Sequence, residues 1–152
     1  QARYNTIRAH AAAYHIYQEE FKQLQDGLVG ITLNSNWYEP KILKDEYITA
    51  AKTDIAFQLG YWADPIFGLG DYPIIVKNTF EKLNIPYPKF TPDEIASNMN
   101  SADFFGVNHY TTSLVEPCDA GSDGCPLGFK ESKCSSWPSS GSEWLKGWFR
   151  ML

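Results

Sequence analysis

No stretch of this sequence stays apolar for the roughly 20 residues that a bilayer span requires, so no transmembrane segment is expected. Basic charge is scarce: 13 Lys and Arg stand against 18 Asp and Glu, a net charge of −5. No basic patch is available to neutralise phosphates, which argues against nucleic acid as a partner. His10 and His15 are five positions apart, which does not align them as a metal pair on a helix, and both read as packing or surface residues. The three cysteines, Cys118, Cys125 and Cys134, fit no zinc spacing, so no metal site is expected. A Cys118–Cys125 disulfide and three free thiols are both open readings. The first requires a secreted, lumenal or cell-surface setting, which is favoured over the cytoplasm. No signal peptide leads the chain, which opens Gln1-Ala2-Arg3-Tyr4 without an initiator Met and already in helical pattern, as though cut at the front. Compact catalytic signatures are missing too: there is no Gly-x-Ser-x-Gly elbow, phosphate loop or His-Glu-x-x-His.

What is present suits a packed α/β chain. The 43% apolar and 15% aromatic content is that of a globular protein, and 152 residues make one average domain. Residues 4–24 read as an amphipathic helix with Ile7, Ala11, Tyr14 and Phe21 on one face, closed by Gly27 in a left-handed cap. Residues 28–34 are β-branched without alternation, as expected of a strand covered on both faces. A second helix is predicted over 45–59, with Ile48, Ala51, Ile55 and Leu59 as its stripe. An aromatic loop follows over 60–73, then a helix over 74–83. Thr91-Pro92-Asp93-Glu94 is a capping box with Pro at the first helical position. Residues 103–109 form a second strand, and 113–143 read as a long Gly/Ser/Cys-rich surface loop. Trp137, Trp144, Trp148 and Phe149 follow or end that loop, and 147–152 begin another helical pattern. This order predicts a parallel sheet with helical crossovers, but two strands cannot close a sheet, so the chain is expected to be part of a larger domain.

The stretch with most to say is Asp103-Phe104-Phe105-Gly106-Val107-Asn108-His109-Tyr110-Thr111-Thr112, an apolar run ending in hydrogen-bonding side chains. Such a strand carries polar groups at its carboxyl end, where parallel α/β barrels build their sites. Asn34-Ser35-Asn36-Trp37-Tyr38-Glu39-Pro40 repeats the pattern after the first strand. The carboxylate pairs Glu19/Glu20, Asp45/Glu46 and Asp93/Glu94 sit on helix faces or helix starts, where solvation or the helix dipole explains them. Glu39 and Asp71 fall in loops, with little to assign them chemistry.

Five motifs occur in order: Arg8-Ala9-His10-Ala11-Ala12-Ala13-Tyr14, Gly30-Ile31-Thr32-Leu33-Asn34…Trp37-Tyr38-Glu39-Pro40, Asp64-Pro65-Ile66-Phe67…Gly70-Asp71-Tyr72-Pro73, Phe90-Thr91…Glu94, and the stretch from Asp103 to Thr112. Together they resemble the middle of a family 1 glycoside hydrolase, within its β-glucosidase and lactase-phlorizin hydrolase branch. The resemblance implies a partial (β/α)8 TIM barrel, from about helix 4 to the helix after strand 6, with residues 28–34 as strand 5 and 103–109 as strand 6. It makes residues 1–152 one internal fragment of a single barrel.

The family implies a retaining β-glycosidase that cleaves β-glucosides or β-galactosides without a cofactor. Two glutamates about 5 Å apart act as acid/base and nucleophile. Their Asn-Glu-Pro and Thr-Glu-Asn-Gly motifs are absent from these 152 residues, and the resemblance places them just before Gln1 and just after Leu152. An inactive isolated fragment is therefore expected. Tyr110 matches the tyrosine that hydrogen-bonds the nucleophile, Asn108 an asparagine near the acid/base, Asn34 a residue on the aglycone side, and Trp37 an aromatic lining the entrance. The ending departs from the family: Trp144-Leu145-Lys146 runs straight into Gly147-Trp148-Phe149-Arg150, without the intervening Pro-containing segment. The alternative is a Klotho-like barrel that lacks catalytic glutamates and binds glycans or receptors.

Overall fold

A computed structural model describes residues 1–133. Cys134, the tryptophan-bearing segment and the helical pattern at 147–152 lie outside the described residues. Helix α1 (Ala2–Ile16) passes through a π-helical turn at Tyr17–Phe21 into α2 (Lys22–Gln25). The predicted stripe holds at Ile7 and Ala11, both buried, and fails at Phe21, which is exposed. A π turn adds a residue to the winding and rotates the later side chains off the face. The left-handed cap is Asp26, φ 47°, rather than Gly27. Gly27 serves contact instead: its N–H donates to Tyr17 Oη at 2.7 Å, and a Cβ there would lie 2.5 Å from that oxygen.

Strands β1 (Gly30–Asn34) and β2 (Trp37–Pro40) precede α3 (Asp45–Ile55), whose π turn at Ala56–Gly60 leads into α4 (Tyr61–Phe67). The expected aromatic loop is thus partly helical. Tyr61 joins edge-on contacts with Phe57, Tyr72 and Phe80 at centroid distances of 6.2, 4.6 and 5.7 Å, and that packing outweighs the breakers Gly60 and Pro65. The buried face of α3 is Ala50, Ala51, Thr53 and Asp54; of the predicted stripe only Ala51 is buried. There follow α5 (Ile74–Lys82), α6 (Pro92–Asn98), β3 (Phe104–Asn108), β4 (Thr112–Pro117) and β5 (Phe129–Lys133).

The strands form two sheets among the described residues. β1 pairs with β3 in parallel, as the helical crossovers predicted. β2 pairs with β4 in parallel, and β4 with β5 antiparallel. The stretch expected as a surface loop from residue 113 is therefore a hairpin in its described part. Its alternating burial, Ser113 and Val115 in with Leu114 and Glu116 half out, shows why a strand forms despite the Gly and Ser beyond it. A Cys118–Cys125 disulfide closes the connection between its strands.

Glu94 joins α6 to α1. Its carboxylate accepts from Thr91 N–H at 2.9 Å, completing the capping box, and from Tyr4 Oη at 2.7 Å, and it pairs with Arg8 at 2.8 Å. The backbone bond at Thr91, then the Tyr4 hydroxyl and Arg8, hold its carboxyl below the ordinary range. Gly70, at φ +78°, accepts from Asn98 through its carbonyl, and any Cβ there would collide with the Ile95 carbonyl.

At the amino end of the β1–β3 pair, Asp103 Oδ2 accepts from Val29 N–H at 2.8 Å and Oδ1 accepts from Tyr14 Oη at 3.2 Å, while Asp103 N–H donates to the Val29 carbonyl at 2.6 Å. One side chain thus ties both strands to α1. Asp103→Ala is expected to lower unfolding free energy by about 1–3 kcal/mol in urea denaturation, as for hydrogen bonds to a charged group. Asp103→Asn should lose less, since it keeps one acceptor.

Candidate functional site

The register of β1 and β3 orders their open face in layers. Gly30 lies opposite Phe104, Thr32 opposite Gly106, and Asn34 opposite Asn108. The glycines have a packing reason: a Cβ on Gly30 would sit 2.5 Å from the Phe104 ring, and one on Gly106 would sit 2.6 Å from Thr32 Oγ1. On the other face Leu33 is buried and Phe105 meets Phe67 edge-on at 5.2 Å. The expectation that residues 28–34 are covered on both faces does not hold among the described residues, where Thr32 and Asn34 are exposed, and in β3 Phe104, Phe105 and Val107 are each about half exposed, at 49%, 45% and 49%. β3 has no second neighbour here to shield them.

The top layer is polar. Asn108 Nδ2 donates to Asn34 Oδ1 at 2.9 Å, so two of the predicted site residues meet directly. An amide pair joined by one bond still holds further donors and acceptors for a ligand. Beyond it the two segments stay zipped together. Ser35 N–H donates to the Asn108 carbonyl at 3.1 Å, and Trp37 N–H donates to the Thr111 carbonyl at 3.0 Å. His109 Nδ1 approaches the Ser35 carbonyl at 3.3 Å. The strand ends thus run straight from β1–β3 into β2–β4. Tyr110 lies on this seam with 73% of its surface exposed, one residue before the Trp37 contact.

β2 alternates in the usual way. Tyr38 is buried toward α3, while Trp37 and Glu39 share the exposed face, and Trp37 Nε1 donates to Glu39 Oε1 at 2.7 Å. Sequence pattern alone leaves Glu39 without a role. The signal was the spacing of two in Trp37-Tyr38-Glu39, which puts indole and carboxylate side by side if the segment is a strand rather than a loop. Asp71, also without an assigned role, is structural: it accepts from Tyr72 N–H and pairs with Lys77, each at 2.7 Å.

Asn34 and Asn108 bring neutral hydrogen-bonding groups together at the strand ends, and Tyr110 follows two residues after Asn108. No group of three or more His, Cys, Asp or Glu side chains converges among the described residues. No described helix is long and apolar enough to cross a membrane. Two clefts among the described residues lie away from these strand ends, one of about 740 Å³ between the 68–75 segment and Ile95 and one of about 450 Å³ between α3, α5 and the hairpin.

Behind β2, Asp54 is fully buried on α3, and neither carboxylate oxygen meets a hydrogen-bond partner in good geometry. Burial first, and the nearby Glu131 charge second, push its carboxyl up to about 7, while Gln58 draws it down in part. An acid raised above its unfolded value favours the fold when protonated. Stability is therefore fullest below the unfolded value near 3.8 and falls as pH rises toward 7. The chain is expected to lose roughly 2–4 kcal/mol across that window, and Asp54→Asn should flatten the profile and be the more stable form at pH 8. Denaturation at pH 4, 6 and 8 checks this; a flat wild-type profile contradicts it.

Known proteins align with this arrangement. The sequence model of glycosyl hydrolase family 1 matches residues 1–149. Lactase/phlorizin hydrolase of Rattus norvegicus is 36% identical over 157 residues, covering 95% of this chain and 8% of that protein. Klotho of Homo sapiens is 38% identical over 119 residues, covering 76% of this chain and 12% of that protein. A rice β-glucosidase crystal structure superposes with a TM-score of 0.74 at 36% identity, over 85% of this chain and 28% of that one. The chain therefore spans about a tenth of the length of these two curated relatives and just over a quarter of the rice enzyme.

Proposed function

The chain belongs to glycosyl hydrolase family 1, and we propose from that premise that it is the segment from helix 4 to the helix after strand 6 of a retaining β-glycosidase barrel. The observation that carries the reading is the Asn34–Asn108 bond at the carboxyl ends of two adjacent parallel strands, with Tyr110 just beyond. In this reading β1 is barrel strand 5 and β3 is strand 6, and the layered face of Phe104, Thr32 and the asparagine pair looks into the barrel.

The substrate class is the β-glucoside or β-galactoside. Two carboxylates from outside these residues do the chemistry: one attacks the anomeric carbon to form a glycosyl-enzyme, and the other protonates the leaving oxygen and then deprotonates water. Asn108 steadies the acid/base and Asn34 contacts the aglycone. The Tyr110 hydroxyl donates to the nucleophile carboxylate and fixes its orientation before attack. Trp37 lines the entrance. No cofactor enters any step.

A second reading keeps the same barrel without its carboxylates, as a glycan- or receptor-binding protein. The 38% identity to Klotho supports it. Both readings leave the isolated 152-residue chain without turnover.

The full-length protein, assayed on 4-nitrophenyl β-glucoside and β-galactoside, is expected to turn over at least one of them, and the isolated chain neither. Tyr110→Phe should lower kcat/KM by about 10- to 100-fold, the worth of one hydrogen bond to a charged group. A full-length protein that binds β-glycosides and hydrolyses none would favour the binding reading.

A further inference from the structure

We propose that Glu39 is a positioning residue that locks the Trp37 indole as a fixed wall for aromatic aglycones. The proposal rests on the glycoside-binding reading of the site. The indole N–H meets the carboxylate at 2.7 Å, the length of a charge-assisted bond. With its N–H held, the ring cannot swing about its side-chain torsion, and its plane is set relative to the strand. Trp37 is 39% exposed in this segment.

The charges on this face are arranged so that Glu39 serves the ring. Lys41, which continues the alternation just past β2, pairs with Glu116 Oε2 at 2.8 Å, and Lys130 pairs with Glu116 Oε1 at 3.3 Å. Glu116 thus engages both lysines, and the Glu39 carboxylate meets the indole rather than an ammonium. The position fits an aglycone wall. Trp37 is anchored through its backbone to Thr111, directly after Tyr110, and three residues beyond Asn34. It therefore stands at the outer rim of the polar strand ends, where a leaving group rather than the sugar ring would lie. Tyr38, the intervening residue, is buried on the opposite face and keeps β2 from rolling. A carboxylate on the indole edge also enriches the ring face in electron density, which favours the positive edge of an incoming aryl group.

A purely structural bond between neighbouring side chains predicts equal effects on all substrates, whereas a positioning role separates aryl from alkyl aglycones. The test uses the full-length protein as wild type, Glu39→Ala, Glu39→Gln and Trp37→Phe. Turnover is read on 4-nitrophenyl and methyl β-glycosides, and calorimetric binding on phenyl and methyl 1-thio-β-glycosides, which are not hydrolysed. The aryl-to-methyl ratio, in kcat/KM and in affinity, is expected to fall about 3- to 10-fold in Glu39→Ala and Trp37→Phe, the worth of one aromatic contact. The kinetic loss should appear mainly in KM, and Glu39→Gln, which keeps an acceptor, should recover most of it. Equal losses on both aglycones, no loss on either, or failure of Glu39→Gln to recover would overturn the proposal. Wild-type protein that hydrolyses nothing yet shows the aryl preference, lost in Glu39→Ala, would sink the catalytic reading alone. Wild-type protein that binds neither thioglycoside would overturn both.

Discussion

The register of β1 against β3 governs everything at the polar end of the molecule. A slip of one residue in either strand would turn that strand's asparagine to the helix side and bring its neighbour, Leu33 or Val107, to the open face, because successive side chains alternate. Three features oppose that slip. Asp103 holds the Val29 amide and the Tyr14 hydroxyl together at the start of the pair. Gly30 admits the Phe104 ring, and Gly106 admits Thr32, at positions where any side chain would collide. The Asn34–Asn108 bond closes the far end. A clasp at one end, two complementary fits in the middle and an amide bond at the other all select the same alignment.

The register is passed on rather than ended there. Because Ser35 and Trp37 bond across to Asn108 and Thr111, the alignment of the first sheet dictates that of the second, and Trp37 comes to lie opposite Thr112. α3 then anchors the second sheet from behind through Tyr38, Val115 and Phe129. The cost of that anchoring is Asp54, a carboxyl buried without good hydrogen bonds, which makes the backing of the site sensitive to pH where an amide or aliphatic residue would not be.

Much of this was legible in the residues, for identifiable reasons. Thr91-Pro92-Asp93-Glu94 announces a helix start because the chemistry of a capping box is local, and both of its bonds form. The parallel strands were legible as short apolar runs followed by polar clusters, and the meeting of Asn34 with Asn108 follows from reading both as strand ends. Local pattern failed where distant contacts decide. Helix α4 hides behind Gly60 and Pro65 because its stability comes from aromatic partners on α5 and in the 68–73 turn. The π turns at Tyr17–Phe21 and Ala56–Gly60 displaced stripes counted at 3.6 residues per turn. The hairpin from Thr112 was masked by the Gly, Ser and Cys composition of its connection, which says nothing about the strands on either side. Glu39 went unassigned because its partner is visible only once β2 is known to be extended.

The distribution of charge says what the polar strand ends can contribute. Glu94 is occupied by Arg8, Tyr4 and its own helix start, Glu116 by two lysines, Asp71 by Lys77, and Asp103 by Val29 and Tyr14. These carboxylates are engaged in holding elements together, and Glu39 is engaged by an indole. At the seam itself stand two amides, a phenol and the His109 imidazole, and none of them is a carboxyl group. Such groups can hydrogen-bond hydroxyls and a neighbouring carboxylate, whereas cleaving a glycosidic bond takes two carboxyl groups facing each other across it. In the proposed reading the segment is therefore the supporting side of a site whose reacting charges come from other strands.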